Sequence, residues 1–179
     1  MYDADGKPIE GAYADLNGNG KLDDGDLYRY KSPEPDVYMG LNTSFSYKKL
    51  TITTALRASL GNYAYNNVNS DMGNYSQTLN PNNFLMNTIR DINNTGFYNK
   101  QLFSDYYIEN ASFLKMDYLQ FMYDFGKISE IANLKLNFSI QNVFTITKYK
   151  GIDPEIAGGI DNNFYPNPRT FSLGLSLNF

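Results

Sequence analysis

The sequence predicts an all-β protein, an antiparallel meander of long amphipathic strands forming an incomplete piece of a transmembrane β-barrel. Three observations carry this. Apolar residues alternate with period two, the alternating segments are long, and short connections alternate strictly with long ones.

The first strand is "VYMGLNTSFSY". It sets Val37, Met39, Leu41, Phe45 and Tyr47 on one face and Tyr38, Gly40, Asn42, Ser44 and Ser46 on the other. "LTITTALRASL" follows, with Leu50, Ile52, Leu56 and Leu60 opposite Thr51, Thr53, Arg57 and Ser59. A third strand is expected from about Ser112 to Phe125. Leu119, Phe121, Tyr123 and Phe125 alternate there, while Leu114, Met116 and Tyr118 fall on the other phase, as a β-bulge would produce. "NLKLNFSIQN" places Leu134, Leu136, Phe138 and Ile140 against Lys135, Asn137, Ser139 and Gln141. "RTFSLGLSLNF" closes the chain with Phe171, Leu173, Leu175, Leu177 and Phe179 on one face.

Each segment runs to about ten residues or more, where about five or six is usual. A tilted strand crossing a bilayer needs about 9 to 11. Lys48 and Lys49 make a short first connection and "GKISEIAN" a short third. The second, about 62–111, and the fourth, 145–168, are long and polar. Outer-membrane barrels have this asymmetry, with apolar residues facing lipid and polar ones facing the lumen. Five strands are fewer than the roughly eight of the smallest such barrel, and open edges are unsatisfied in lipid. The chain is therefore expected to be part of a larger wall. The rival reading is a secreted, calcium-bound β-sandwich that binds glycans through its aromatic residues.

Composition narrows the chemistry. Across 179 residues the net charge is −4, and no basic stripe stands out to meet a nucleic-acid backbone. Cys and His are absent, which removes disulfides, thiolate–zinc sites and the usual catalytic triads. No enzyme is expected; Asp153 and Glu155 in "GIDPE" read as loop-structuring residues rather than a glycosidase pair. No run of 18 apolar residues marks a transmembrane helix, and the opening "MYDADGKPIE" has no basic stretch ahead of an apolar one, so no leader is expected. Loop tyrosines Tyr63, Tyr65, Tyr75, Tyr98, Tyr106 and Tyr107 are expected chiefly to pack, with stacking on sugars or a lid protein as the functional alternative.

One motif offers a metal site. In "DLNGNGKLDDGD" the positions 1, 3, 5, 7, 9 and 12 of an EF-hand-type loop are Asp15, Asn17, Asn19, Lys21 (through its backbone carbonyl), Asp23 and Asp26. Gly20 stands at the turn and Leu22 at the apolar eighth position. Asp26 replaces the usual bidentate Glu and neither flank reads as a helix. An isolated loop binding Ca2+ weakly, around 10⁻⁴ to 10⁻³ M, is one reading; a solvated Asp/Asn/Gly turn is the other.

The C-terminal residues are more specific. "QNVFTITKYKGIDPEIAGG" followed by "YPNPRTFSLGLSLNF" resembles the ending of SusC/RagA-type TonB-dependent transporters of the bacterial outer membrane. "YIENASFLKMDYLQFMYDF" resembles the family's preceding strand. "DADGKPIEGAYADLNGNGKLDDGD" with "YKSPEPDVYMGL" resembles a surface loop and the strand after it. The resemblance implies the C-terminal part of a 22-stranded barrel importing a glycan or peptide. It also implies outer-membrane lipid around the wall, a SusD-type surface lipoprotein as lid, and TonB acting through parts outside this chain. Residues 1–36 are then an extracellular loop carrying the EF-hand-like motif, and 37–179 the barrel strands with outer loops at about 62–111 and 145–168. Phe179, ending the last strand on the periplasmic side, is implied to be the signal read by the barrel-assembly machinery.

Overall fold

The computed structural model describes residues 1–78, 87–130, 132–162 and 165–179. In chain order these hold β1 (Val37–Tyr47), β2 (Leu50–Leu60), β3 (Tyr63–Asn66), β4 (Ile108–Asn110), β5 (Phe113–Ser129), β6 (Ala132–Thr147), β7 (Ile160–Asp161) and β8 (Thr170–Asn178). Two short helices are α1 (Asn67–Met72) and α2 (Ile92–Thr95). The chain divides into two compact units.

The first unit, Pro35–Gly61, Ala111–Lys148 and Tyr165–Phe179, is a five-stranded antiparallel sheet in the order β1-β2-β5-β6-β8. β1 and β2 pair without interruption, from Val37 opposite Leu60 to Tyr47 opposite Leu50. Lys48 and Lys49 make the turn, and Lys48 takes the positive φ of 52° that tight hairpins demand of a central residue. β5 and β6 run further than their alternation alone predicts. Gly126, Lys127 and Ser129 pair with Leu134, Asn133 and Ala132, so most of "GKISEIAN" is ladder rather than turn. β6 also continues to Thr147, held opposite Phe113.

The phase break in β5 has a defined origin. Tyr118 pairs with Ala55 and Met116 with Leu56, which leaves Asp117 as the extra residue of a bulge. Past it, Leu114 and Met116 rejoin the apolar file of Leu119, Phe121 and Tyr123, each opposite Ala58, Leu56, Thr54, Ile52 and Leu50 in turn. Tyr118 passes to the polar face. An unbroken strand would have put the two halves on opposite faces, because the side-chain period is two.

One row across the sheet reads Phe45, Ile52, Phe121, Phe138 and Leu173. The adjacent row, on the opposite face, reads Ser44, Thr53, Gln120, Ser139 and Ser172. A sandwich would bury the apolar row against a second sheet, yet Phe45 is 65% and Leu173 72% exposed. No described helix is long and apolar enough to cross a membrane, which says nothing of strands.

The second unit comprises the described residues of 1–34, 62–110 and 149–164. Segments read as loops in the sequence carry a small sheet of their own, with β3 between β4 (antiparallel) and β7 (parallel, Tyr65 opposite Ile160). Asn66 ends β3 and caps α1, its Oδ1 accepting from Asn69 N at 3.0 Å. The interior is mixed. Ala64, Ile92, Phe97, Tyr107 and Tyr149 are buried together with Asn66, Ser70, Asn74, Gln101 and Asp161.

Candidate functional site

The polar face of the large sheet is mostly neutral hydroxyls and amides, linked across strands. Ser44 and Thr53 hydroxyls lie 3.3 Å apart, Ser46 and Thr51 3.0 Å. Charge enters around Arg57, with Lys115 opposite it on β5, and around Lys135. Arg57 on β2 donates Nε to Asp117 Oδ2 at 2.5 Å and Nη2 to Oδ1 at 2.8 Å, and its Nη1 donates to the Tyr38 hydroxyl at 3.2 Å. The bulge thus supplies the carboxylate that fixes the guanidinium in a two-pronged pair. Lys135 and Asp124 form a looser pair at 3.4 Å on the neighbouring ladder.

The loop unit is tied together by residues with no periodicity to announce them. Glu10 accepts from Tyr98 N and Asn99 N, each at 2.8 Å, and from Asn99 Nδ2 at 2.9 Å. These donors, the Tyr98 N–H foremost, hold its carboxyl below the usual range. Gly11 N donates to Gln101 Oε1 at 2.6 Å. The buried Tyr149 hydroxyl donates to the buried Asp161 Oδ2 at 2.7 Å. Burial, then this bond to a carboxylate, raises the tyrosine's pKa. Gly151 makes room for the pair, since a Cβ there would lie 2.6 Å from Tyr149 Cζ and 2.7 Å from Asp161 Oδ2.

The acidic loop is built from its own side chains. Asp15 Oδ1 accepts from Gly18 N at 2.7 Å and Asn19 N at 3.2 Å, and Oδ2 from Gly20 N at 2.7 Å. Asn17 and Asn19 each accept from the backbone two residues on, at 2.9 and 2.7 Å. Asp26 reaches back to Leu16 N at 2.8 Å and Asn17 N at 3.3 Å, and takes Asp23 N at 3.0 Å. The Asp23 N–H, followed by those of Asn17 and Leu16, lowers the Asp26 pKa. Gly18 and Gly20 adopt φ of 72° and 78°, which a side chain would resist. The donor types suit a hard cation, and an engaged carboxylate oxygen still has acceptor capacity. Among the described residues, however, no three acidic side chains converge as a metal-ligating group.

Similarity to known proteins joins these features. Over its whole length the chain is 44% identical to the TonB-dependent receptor SusC of Bacteroides thetaiotaomicron, spanning 18% of that protein. The chain belongs to the SusC/RagA-type TonB-dependent receptors. It is also 30% identical, over 98% of its length, to TonB-dependent receptor P3 of Formosa agariphila, spanning 19% of that protein. Two solved structures share the fold. The RagAB peptide transporter covers 89% of the chain with a TM-score of 0.73 and 23% identity, the chain spanning 19% of it. The RagAB peptide importer in its open-open state covers 83% with a TM-score of 0.64 and 25% identity, the chain spanning 18% of it. No protein-family model matches. The chain thus spans about a fifth of the length of its relatives, and its sheet is a partial piece of a barrel wall of the SusC/RagA type.

Within this SusC/RagA-type segment the remaining sequence-predicted residues take plain positions. Phe179 lies one residue past β8 and is 91% exposed. Asp153 accepts Glu155 N at 3.0 Å, an arrangement that shapes a turn. Tyr65, Tyr106 and Tyr107 pack edge to face, with ring centroids 6.1 Å apart for Tyr65–Tyr107 and 5.1 Å for Tyr106–Tyr107. Lys31 lies over Tyr63 at 4.8 Å, while Tyr75 and Tyr98 are exposed. Glu10, Asp117, Gly151 and Asp161 were missed. Only Asp117 left a sequence signal, the phase break around it.

Proposed function

We propose that this chain supplies part of the barrel wall and the outer loops of a TonB-dependent outer-membrane importer of oligosaccharides or peptides. The observation that carries the reading is the 44% identity to SusC across the entire chain. A sheet with one apolar and one mostly neutral polar face fits it. The apolar rows face outer-membrane lipid and the Ser/Thr/Gln rows face the lumen. The loop unit lies outside the cell and helps form the surface met by cargo and by a SusD-type lipoprotein lid. TonB acts through parts outside this chain, and Phe179 is presented to the barrel-assembly machinery from the periplasmic side.

The experiment expresses the full receptor in a strain deleted for it and measures uptake of labelled oligosaccharides and peptides, with and without TonB. Uptake that requires both receptor and TonB is expected; uptake indifferent to TonB overturns the reading.

Calcium at the acidic loop is a second proposal, supported by the oxygen-rich donor set of Asp15, Asn17, Asn19, Asp23 and Asp26 with the Lys21 carbonyl. Calorimetry on the full receptor is expected to show Ca2+ uptake lost in an Asp15→Ala/Asp26→Ala variant that still assembles. No uptake by the unaltered receptor reduces the loop to a turn.

A further inference from the structure

The loop unit holds a cavity of about 470 Å³, within the roughly 300–1,000 Å³ typical of ligand sites. Tyr28, Tyr30 and Tyr106 contribute aromatic wall, Tyr28 and Tyr30 meeting edge to face at 5.8 Å. Four carboxylates, Asp23, Asp24, Asp26 and Asp105, line the same space, and among the described residues no Lys or Arg side chain does. Among those residues, too, none of the four has an ion-pair partner. Asp23 and Asp26 direct oxygens to the loop backbone, and Asp105 accepts the Tyr28 hydroxyl at 2.9 Å.

Charge complementarity selects the occupant. Four carboxylates with no Lys or Arg side chain among them repel an anion. A neutral sugar can stack on tyrosines but leaves the charges unanswered. A cationic side chain answers both features, since an ammonium or guanidinium is attracted to carboxylates and to aromatic faces alike. We propose that this cavity binds a Lys- or Arg-bearing peptide, with Asp24, Asp105 and the Tyr28 ring holding the basic side chain, beside the Tyr30 ring that this chain's own Lys31 already covers at 5.3 Å. The inference rests on the importer reading and adds to it a surface capture site for basic cargo.

The test uses the full receptor with fluorescently labelled tri-lysine, in chelator so that Ca2+ does not compete. An Asp24→Asn/Asp105→Asn variant removes two charges, while the amide introduced at the second position keeps an oxygen for the Tyr28 hydroxyl. Tri-lysine binding is expected to weaken roughly tenfold in the variant, and to weaken with salt in the unaltered receptor. Equal affinity in the two proteins overturns the proposal. So does no binding to the unaltered receptor, or a neutral trisaccharide that displaces tri-lysine at lower concentration than unlabelled tri-lysine itself. The importer reading is scored separately. TonB-dependent uptake of cargo without basic side chains persists in the variant if that reading holds, whatever the cavity binds.

Discussion

Phe138 and Ser139 are adjacent on β6 and point to opposite faces, so arginine at each is a direct measure of what those faces meet. Phe138 sits in the apolar row between Phe121 and Leu173, its ring 6.4 Å from that of Phe171. Strands rise about 3.3 Å per residue, and a tilt of about 40° reduces this to about 2.5 Å along the membrane normal. Phe138 is six residues from Ala132, hence about 15 Å from that end, near the middle of an apolar band about 25 Å tall. Phe138→Arg is therefore expected to cost about 2–4 kcal/mol, around two decades in the folded-to-unfolded ratio at the centre of that range. Leu134 is two residues from the same end, at about 5 Å, and Leu134→Arg is expected to cost about 0–1 kcal/mol. Ser139→Arg, flanked by Gln120 and Ser172, places its charge in lumen water and is expected to cost under about 1 kcal/mol. Urea unfolding of the full receptor folded into lipid vesicles, followed by circular dichroism, reads all three. If Ser139→Arg costs as much as Phe138→Arg, or if Leu134→Arg costs as much as Phe138→Arg, the assignment of faces and depth is wrong.

Three further perturbations probe the bulge and the loops. Asp117→Ala and Arg57→Ala are expected to couple by about 1 kcal/mol in a double-mutant cycle, a value kept small because the pair is about 30% exposed; an additive cycle means the two-pronged pair contributes nothing. Gly151→Ala drives a methyl into Tyr149 and Asp161 and is expected to destabilise the loop unit by about 1–3 kcal/mol, seen as faster protease cleavage within 149–161 while the sheet unit stays protected. Asp26, whose pKa is lowered by its backbone donors, contributes order to the acidic loop above the ordinary aspartate range and loses it as pH falls through the lowered value. Protection of the Leu16 and Asn17 amides, taken relative to the intrinsic exchange rate at each pH, is therefore expected to fall below the ordinary aspartate pKa of about 4, and protection unchanged down to about pH 2 counts against the Asp26 hydrogen bonds.

The sheet was legible because its determinants are periodic. β1 and β2 have uninterrupted alternation and a two-residue turn, and their bounds are those the sequence predicts. β5 resisted because a single inserted residue reverses every face assignment beyond it. Which residue is inserted depends on the partner strands, not on β5 alone. The step between Ala55 and Leu56 on β2 places it at Asp117, while on the β5–β6 ladder Asn142 and Val143 of β6 together oppose that same residue. The strand ends beyond Phe125 were hidden for the same reason, since Gly126 and Lys127 join the ladder only through Leu134 and Asn133.

The loop unit follows a different logic, and this explains why its contacts left so little trace. Its order comes from long-range polar contacts: Glu10 with Tyr98 and Asn99, Gln101 with Gly11, Tyr149 with Asp161. None repeats at a fixed spacing, so no period exposes them. Among the described residues, a loop unit held mainly by apolar burial would need a larger core than Ala64, Ile92, Phe97, Tyr107 and Tyr149 provide. Placing Asn66, Ser70, Asn74 and Asp161 inside instead makes stability depend on each bond being made, because an unmet buried polar group costs about 1–3 kcal/mol. The acidic loop fits this pattern, with Asp15 and Asp26 closing it through backbone donors rather than through packing. Its side chains therefore have a structural task whether or not a cation joins them, and the Asp15→Ala/Asp26→Ala variant can loosen the loop as well as remove ligands. The Asp23→Asn variant separates the two roles. It keeps an oxygen for Gly25 N while removing one of the three carboxylates, so lost Ca2+ uptake with unchanged amide protection at Gly18 and Gly20 marks a ligand, and lost protection marks a strut.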